Sequence, residues 1–378
     1  MTARILTIKE RHLKTLGQLS SVADFTCVDG DEVDPRIVLN NLNLSLYCFD
    51  DATRQAIFVE LPSSVDLTKS PFVYLTQGEE AERLIAVSYD TFLRLAAELP
   101  KVENLIPIYI TGRSGLTLIS HIFNELATVM SLSEPDAASQ FAHLRATDGS
   151  RDVELSRLLD GALRFLFKPN GYKSATTYAL KFRSEGVQVM DLYQATFPQA
   201  KNLFSYRDAV GFVSSFYRLF TSFGVPEREP LSEWTGFFMQ QCGKDADDLR
   251  FYLGEGDGDI PMAKALALWW LFSMEAYLTQ HERGVRALAV RYDDLNMHRE
   301  ETLRGIFAYC GLPVASVKAT LKAFERDAQA GTALAREDAT RGNALRLSEQ
   351  QVADIHDVLQ RHPVIKVPDY MLPGTLTV

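Results

Sequence analysis

The stretch NLIPIYITGRSGLTLISHIFNELATVM, Asn104 to Met130, decides the fold. Ile106 to Ile110 is a short apolar run rich in β-forming residues, Gly112 to Gly115 supplies a turn, and from Thr117 onward the apolar residues recur with helical spacing. The same order of strand, tight connection and helix returns downstream. Thr176 to Ser184 reads as a strand, Gln188 to Phe197 as a helix stopped by Pro198, and Ala200 to Asp208 as a third strand feeding a helix from Ala209 to Phe220. Further on, Lys264 to Gln280 reads as a helix and Ala287 to Leu295 as a strand running into a loop. Arg299 to Pro313 is a helix ended by Gly311 and Pro313, and Ser348 to Gln360 a helix in the tail. Strands alternating with helices predict an α/β fold with a parallel, doubly wound sheet, whose ligands sit at the carboxyl ends of the strands.

Working outward, the pattern changes near residue 100. Before it, Leu42 to Phe49 and Gln55 to Leu61 alternate as half-buried strands, and Tyr89 to Leu99 is an amphipathic helix. Residues 1–100 are therefore expected to form an accessory α+β region without a motif, and residues 101–378 the α/β domain.

Composition narrows the chemistry. The 378 residues are 46% hydrophobic and 23% charged, which suits a globular chain and excludes a disordered or collagen-like one. A net charge of −10 argues against a broad nucleic-acid or anionic-membrane surface, so an anion site has to be local. Cys27, Cys48, Cys242 and Cys310 lie far apart with no CxxC pair, so neither a zinc cluster nor a disulfide framework is indicated, and no metal is expected. The longest apolar run, Ala265 to Phe272, is too short to span a bilayer, and the N-terminus lacks the apolar core of a leader peptide. A cytoplasmic protein is expected, and a homodimer is allowed.

Thr111 to Leu118, TGRSGLTL, has the parts of an anion cradle. Two glycines let the backbone present its N–H groups, Arg113 and Ser114 add donors, and the following helix aims the positive end of its dipole at the same point. The nucleotide-kinase pattern GxxxxGK[ST] fails here, because no lysine follows Gly115. The other reading of the segment is an ordinary strand-to-helix turn. In FSYRDAVGFVSSFYR, Arg207 ends a strand and Ser215 lies eight residues on, two helical turns along the next helix, so that both can reach one anion at the sheet's carboxyl edge. Taken singly, Arg207 could equally pair with Asp208, and Ser215 could be a hydroxyl on a helix face.

With VRYDDLNMHREETLRGIFAYCGLP, Val290 to Pro313, these segments resemble a known family: the sulfotransferases that use 3′-phosphoadenosine-5′-phosphosulfate (PAPS), built on an α/β sheet like that of the P-loop NTPases. GRSGLTL resembles the family's 5′-phosphosulfate loop, SYRDAVGFVSS its 3′-phosphate motif, and RYDDL with GIFAYCGLP its later signature, in the expected order across roughly Leu105 to Pro313. The resemblance implies a P-loop-like sulfotransferase sheet with an N-terminal α+β extension. It also implies PAPS as donor, its desulfated form PAP as product, and a small-molecule acceptor, with no nucleic acid or membrane partner. Arg113, Ser114, Gly115, Leu116, Thr117 and Leu118 would surround the phosphosulfate, with Arg113 stabilising the leaving oxygen. Leu116 stands where a hydroxyl residue is usual. Arg207 and Ser215 would hold the 3′-phosphate. Arg341, in TRGNAL, resembles part of the family's closing loop.

An acceptor hydroxyl or amine needs a group to take its proton. Many relatives use a histidine two residues after a strand lysine, but here Lys181 is followed by Phe182 and Arg183, and arginine is no base. The segment SEPD resembles the glutamate-proline segment of other relatives, which favours Glu134, although Glu134 could also cap a helix starting at Pro135. His121, four residues past Thr117, and His143 are the alternatives. Lys181 and Arg183, on one strand face, would steady the sulfuryl group or hold an anionic part of the acceptor, unless they form a solvated edge. Trp269 and Trp270 read as core. The functions left open beside sulfuryl transfer are a P-loop-like nucleotide-dependent phosphotransferase and a non-catalytic nucleotide-binding module.

Overall fold

The computed structural model describes residues 2–12, 17–114, 116–169, 174–253, 258–325 and 346–378. Two five-stranded sheets dominate. The first joins β1 (Ala3–Arg11), β2 (Phe25–Val33), β3 (Leu44–Asp50), β4 (Gln55–Glu60) and β5 (Arg83–Ser88) in the order β2-β1-β5-β4-β3, with antiparallel pairing throughout. The second joins β6 (Leu105–Ile110), β7 (Val129–Ser133), β8 (Thr177–Lys181), β9 (Asn202–Tyr206) and β12 (Ala287–Arg291) as a parallel sheet in the order β12-β9-β6-β8-β7. Two-residue strands β10 (Arg228–Glu229) and β11 (Ile260–Pro261) form a separate pair. The expected α/β class with a parallel sheet holds. Every residue of β6, β7 and β9 is buried, which is why these strands read as continuous apolar or small runs and not as alternating ones.

Compactness divides the chain differently from the change of pattern at residue 100. One unit comprises Met1–Pro107 with Ser120–Ala200, the other Ile108–Ile119 with Lys201–Val378. In the first, Phe49, Phe58, Phe92 and Phe165 form an aromatic centre with ring centroids 5.0–6.3 Å apart. Gly161 is required there, because a Cβ would lie 2.8 Å from the Phe92 ring. In the second, Phe212, Phe216 and Phe237 surround Trp269 at 4.4–5.5 Å. Trp269 and Trp270 are core, as their sequence setting implies.

Helix limits follow their caps. Asp208 accepts from the Gly211 amide at the start of the helix Ala209–Ser222, and Gly311, at φ 70°, closes the helix Arg299–Cys310. The run after the tail helix Glu349–Gln360 is irregular, with turns at Pro368–Asp369 and Pro373–Gly374, and docks within its own unit. The Ala209 amide donates to the Pro368 carbonyl at 2.8 Å, Tyr277 Oη donates to the Pro373 carbonyl, and Ala289 exchanges hydrogen bonds with Gly374 and Leu376 alongside β12. Among the described residues no helix is long and apolar enough to cross a membrane.

Candidate functional site

In the second unit, β6 and β9 run parallel with Ile110 opposite Ser205, so the residues that follow each strand emerge side by side. Thr111 continues the pairing through its amide to the Ser205 carbonyl at 3.1 Å. The chain then turns through Gly112, at φ 99°, and Arg113, at φ 51°. A Cβ on Gly112 would come within 3.0 Å of the Phe216 ring, so both conformation and space demand glycine. Arg113 has no such licence, and a left-handed non-glycine residue stores strain on the order of 1–3 kcal/mol. Ser114 and Ser205 lock the turn to the strand, each hydroxyl donating to the other's carbonyl, at 3.3 and 3.1 Å. The Ser114 hydroxyl is thus committed to the fold.

The Arg113 guanidinium donates through Nε to Ser215 Oγ at 2.9 Å. The glycine-turn arginine and the helix serine, 102 residues apart in sequence, therefore meet. Arg207 leaves the end of β9 with its guanidinium 4.7 Å above the Tyr292 ring and its Nε 4.0 Å from Asp208, at the outer limit of an ion pair. Its carbonyl accepts from Trp270 Nε1 at 2.7 Å. Arg207 lies so close over the first turn of the next helix that a side chain at Gly211 would collide with it. Two buried polar atoms at these strand ends, Thr111 Oγ1 and Arg207 Nε, have no hydrogen-bond partner among the described residues. Orphaned donors beside two guanidinium groups fit an anionic ligand. Thr117 and Leu118 are buried at the start of the helix Leu116–Asn124. Gly115 and Arg341 lie outside the described residues.

In the first unit, Glu134 follows β7 with φ 57°, so Arg113 and Glu134, both singled out from sequence, are two of the three non-glycine residues with positive φ among the described residues, the third being Arg54. The Glu134 amide donates to the Lys181 carbonyl at 2.7 Å and its carbonyl accepts from the Tyr74 amide at 3.3 Å. Its carboxylate pairs with the Lys181 ammonium, and both side chains are buried. Pro135 starts the short helix Asp136–Ser139, so Glu134 sits ahead of it as an ion-paired residue and not as its cap.

Arg183 forms no solvated edge with Lys181. It lies past the end of β8, where it donates to the carbonyls of Gln18 and Gly17, reaches Asp136 at 3.3 Å and Glu185 at 3.5 Å, and stacks 4.8 Å from the Tyr74 ring. Asp136 is also held by the amide and hydroxyl of Ser20. Glu185, fully buried with no hydrogen bond from another residue to either oxygen among the described residues, is a group that sequence reasoning missed. Burial pushes its carboxyl up to about 7, against the opposing pull of Arg183. Burial and the Glu134 charge push the Tyr74 phenol up as well. Among the alternative bases, His121 is half-buried on its helix and His143 is exposed. Tyr292, Gly211 and Glu185 carried no separate signal, since each acts only through a neighbour brought close by the fold.

No family model matches the chain, and no curated protein does. Solved structures do. The sulfotransferase STF9 from Mycobacterium avium is 13% identical, with 72% of this chain and 80% of that one covered and a TM-score of 0.40. The sulfotransferase domain from the curacin biosynthetic pathway is 14% identical over 73% and 95%, with a TM-score of 0.39. Mouse sulfotransferase SULT7A1, solved in complex with PAP, is 13% identical over 71% and 88%, with a TM-score of 0.36. These three structures are sulfotransferases, and at these identities and scores the case for this chain's chemistry rests on its own residues.

Proposed function

We propose that the protein is a PAPS-dependent sulfotransferase acting on a hydroxyl or amine of a small molecule. The observation that carries this reading is the hydrogen bond from Arg113 to Ser215, which joins the glycine turn to the helix beyond Arg207 and supports a shared anion site. The orphaned Thr111 Oγ1 and Arg207 Nε support it. Bound there, the nucleotide would supply an activated sulfuryl group. Arg207 and Ser215 hold a phosphate by charge-assisted hydrogen bonds, each worth roughly 1.5–3 kcal/mol. Glu134, ion-paired with Lys181, is the residue that its sequence setting nominates to take the acceptor's proton as the acceptor's oxygen or nitrogen bonds to sulfur. The electron pair of the breaking sulfur–oxygen bond stays on the leaving phosphate oxygen, and Arg113 stabilises the negative charge that develops there. No covalent enzyme intermediate is needed.

Thermal unfolding with adenosine 3′,5′-bisphosphate and, separately, with ATP and Mg²⁺ tests the reading. A ligand at a hundredfold excess over its dissociation constant stabilises by about 2.7 kcal/mol. The bisphosphate is expected to raise the melting temperature and ATP is not. A shift with ATP alone moves the protein to the phosphotransferases, and no shift with the bisphosphate removes the proposal. Transfer of labelled sulfuryl to a panel of acceptors then separates an enzyme from a nucleotide-binding module.

A further inference from the structure

Lys168 lies in the first unit and plays no part in the chemistry proposed above. Its side chain is 6% exposed, yet no carboxylate pairs with it among the described residues. The ammonium donates to the carbonyls of Val38 at 2.9 Å and Asn41 at 2.7 Å, at the end of the short helix Ile37–Asn40. Three protons are available on an ammonium, so one is left without a partner among the described residues. A buried cation answered only by carbonyl dipoles is costly, and burial has lowered its pKa to about 8.

The same lysine lines a cavity of about 50 Å³ whose other walls include Leu44, Leu61, Val65, Met130, Leu132 and Phe165. At roughly 10–15 Å³ per water, that space takes three to five waters or a solute of similar size. The aliphatic part of the wall rewards an alkyl group, Asn43, Ser45 and Thr68 make the rest of it polar, and the ammonium's remaining proton rewards one negative charge. We infer that the cavity beside Lys168 is a binding site for a small monocarboxylate of about two to four carbons, with the carboxylate on the ammonium and the alkyl end against the leucines. The inference is independent of sulfuryl transfer, and its test uses no nucleotide.

Propionate is the probe, with saturation-transfer NMR on the full chain as readout and ionic strength held constant with chloride. Saturable binding with a dissociation constant on the order of 1 mM is expected, since so small a ligand has few atoms to contribute. Propionamide, the same shape without the charge, is expected not to bind. Raising the pH from about 6.5 to about 9.5, across the lysine's value near 8, neutralises the ammonium and weakens propionate binding about thirtyfold. Lys168→Met, which keeps the aliphatic stem, is expected to abolish it; should that variant not fold, the amide comparison and the pH series on the native chain decide. Absence of saturable binding, equal binding of propionate and propionamide, a pH-independent affinity, or binding retained by Lys168→Met would each overturn the site.

Discussion

Replacing the buried Glu134–Lys181 pair tests whether the first unit stakes its stability on an ion pair. Glu134 is 8% and Lys181 2% exposed, so removing either partner strands a charge in the interior. Such a loss costs about 3–5 kcal/mol, whereas replacing both partners by apolar side chains is often close to neutral. Lys181→Met and Glu134→Met are therefore each expected to cost about 3–5 kcal/mol, and the double variant far less than the sum of roughly 6–10 kcal/mol. Tryptophan fluorescence is the wrong probe: Trp234, Trp269 and Trp270 all belong to the other unit. Hydrogen exchange in peptides covering Val129–Ser133 and Thr177–Lys181 reads opening where the pair sits, across the paired strands β7 and β8. Single variants that each cost less than about 1 kcal/mol, or a double variant equal to the sum, would refute the reasoning.

Arg113→Ala is expected to lower sulfuryl transfer by roughly 10²–10³, and near-normal turnover would exclude a role in stabilising the leaving group. Gly112→Ala meets both an unfavourable φ of 99° and the Phe216 ring, so bisphosphate binding measured by calorimetry should weaken together with stability. Glu185 gives a pH signature. Its folded carboxyl, near 7, is raised above the ordinary value near 4.3, so between those values the folded chain keeps a proton that the unfolded chain releases, and stability falls as pH rises through that window. Glu185→Gln should remove that fall. It should match the native protein at about pH 4 and exceed it at about pH 8 by an amount on the order of 3 kcal/mol, read from urea midpoints; equal pH slopes would show that Glu185 is not the group titrating.

The parallel sheet was legible because its strands are buried on both faces and its helices carry clear stops. Pro198 ends one helix and Gly311 another, and the helices Ala209–Ser222 and Met262–Glu282 fall within two residues of their expected limits. β1 and β2 went unread: most of their residues are half or fully exposed, so neither offers the apolar run that marked β3 and β4, whose central residues are buried on both faces and not half-buried as expected. At the site, the spacing of Arg207 and Ser215 pointed to a shared anion, but the meeting of Ser215 with Arg113 depends on the register of β6 against β9, which no local pattern encodes. Arg183 was legible as a missing histidine; its enclosure by Asp136, Glu185 and the Gly17–Gln18 backbone was not, since those partners come from distant parts of the chain.

The irregular run after the tail helix bears on how the helix beyond Arg207 is held. Pro368 holds the first amide of the helix that begins just after Arg207, while Gly374 and Leu376 flank β12. A deletion of residues 374–378 would strip the flank of β12 and leave the helix clasp, which only a deletion reaching Pro368 removes. The shorter deletion should therefore lose hydrogen-exchange protection along β12 while the amide that opens the helix Ala209–Ser222 stays held.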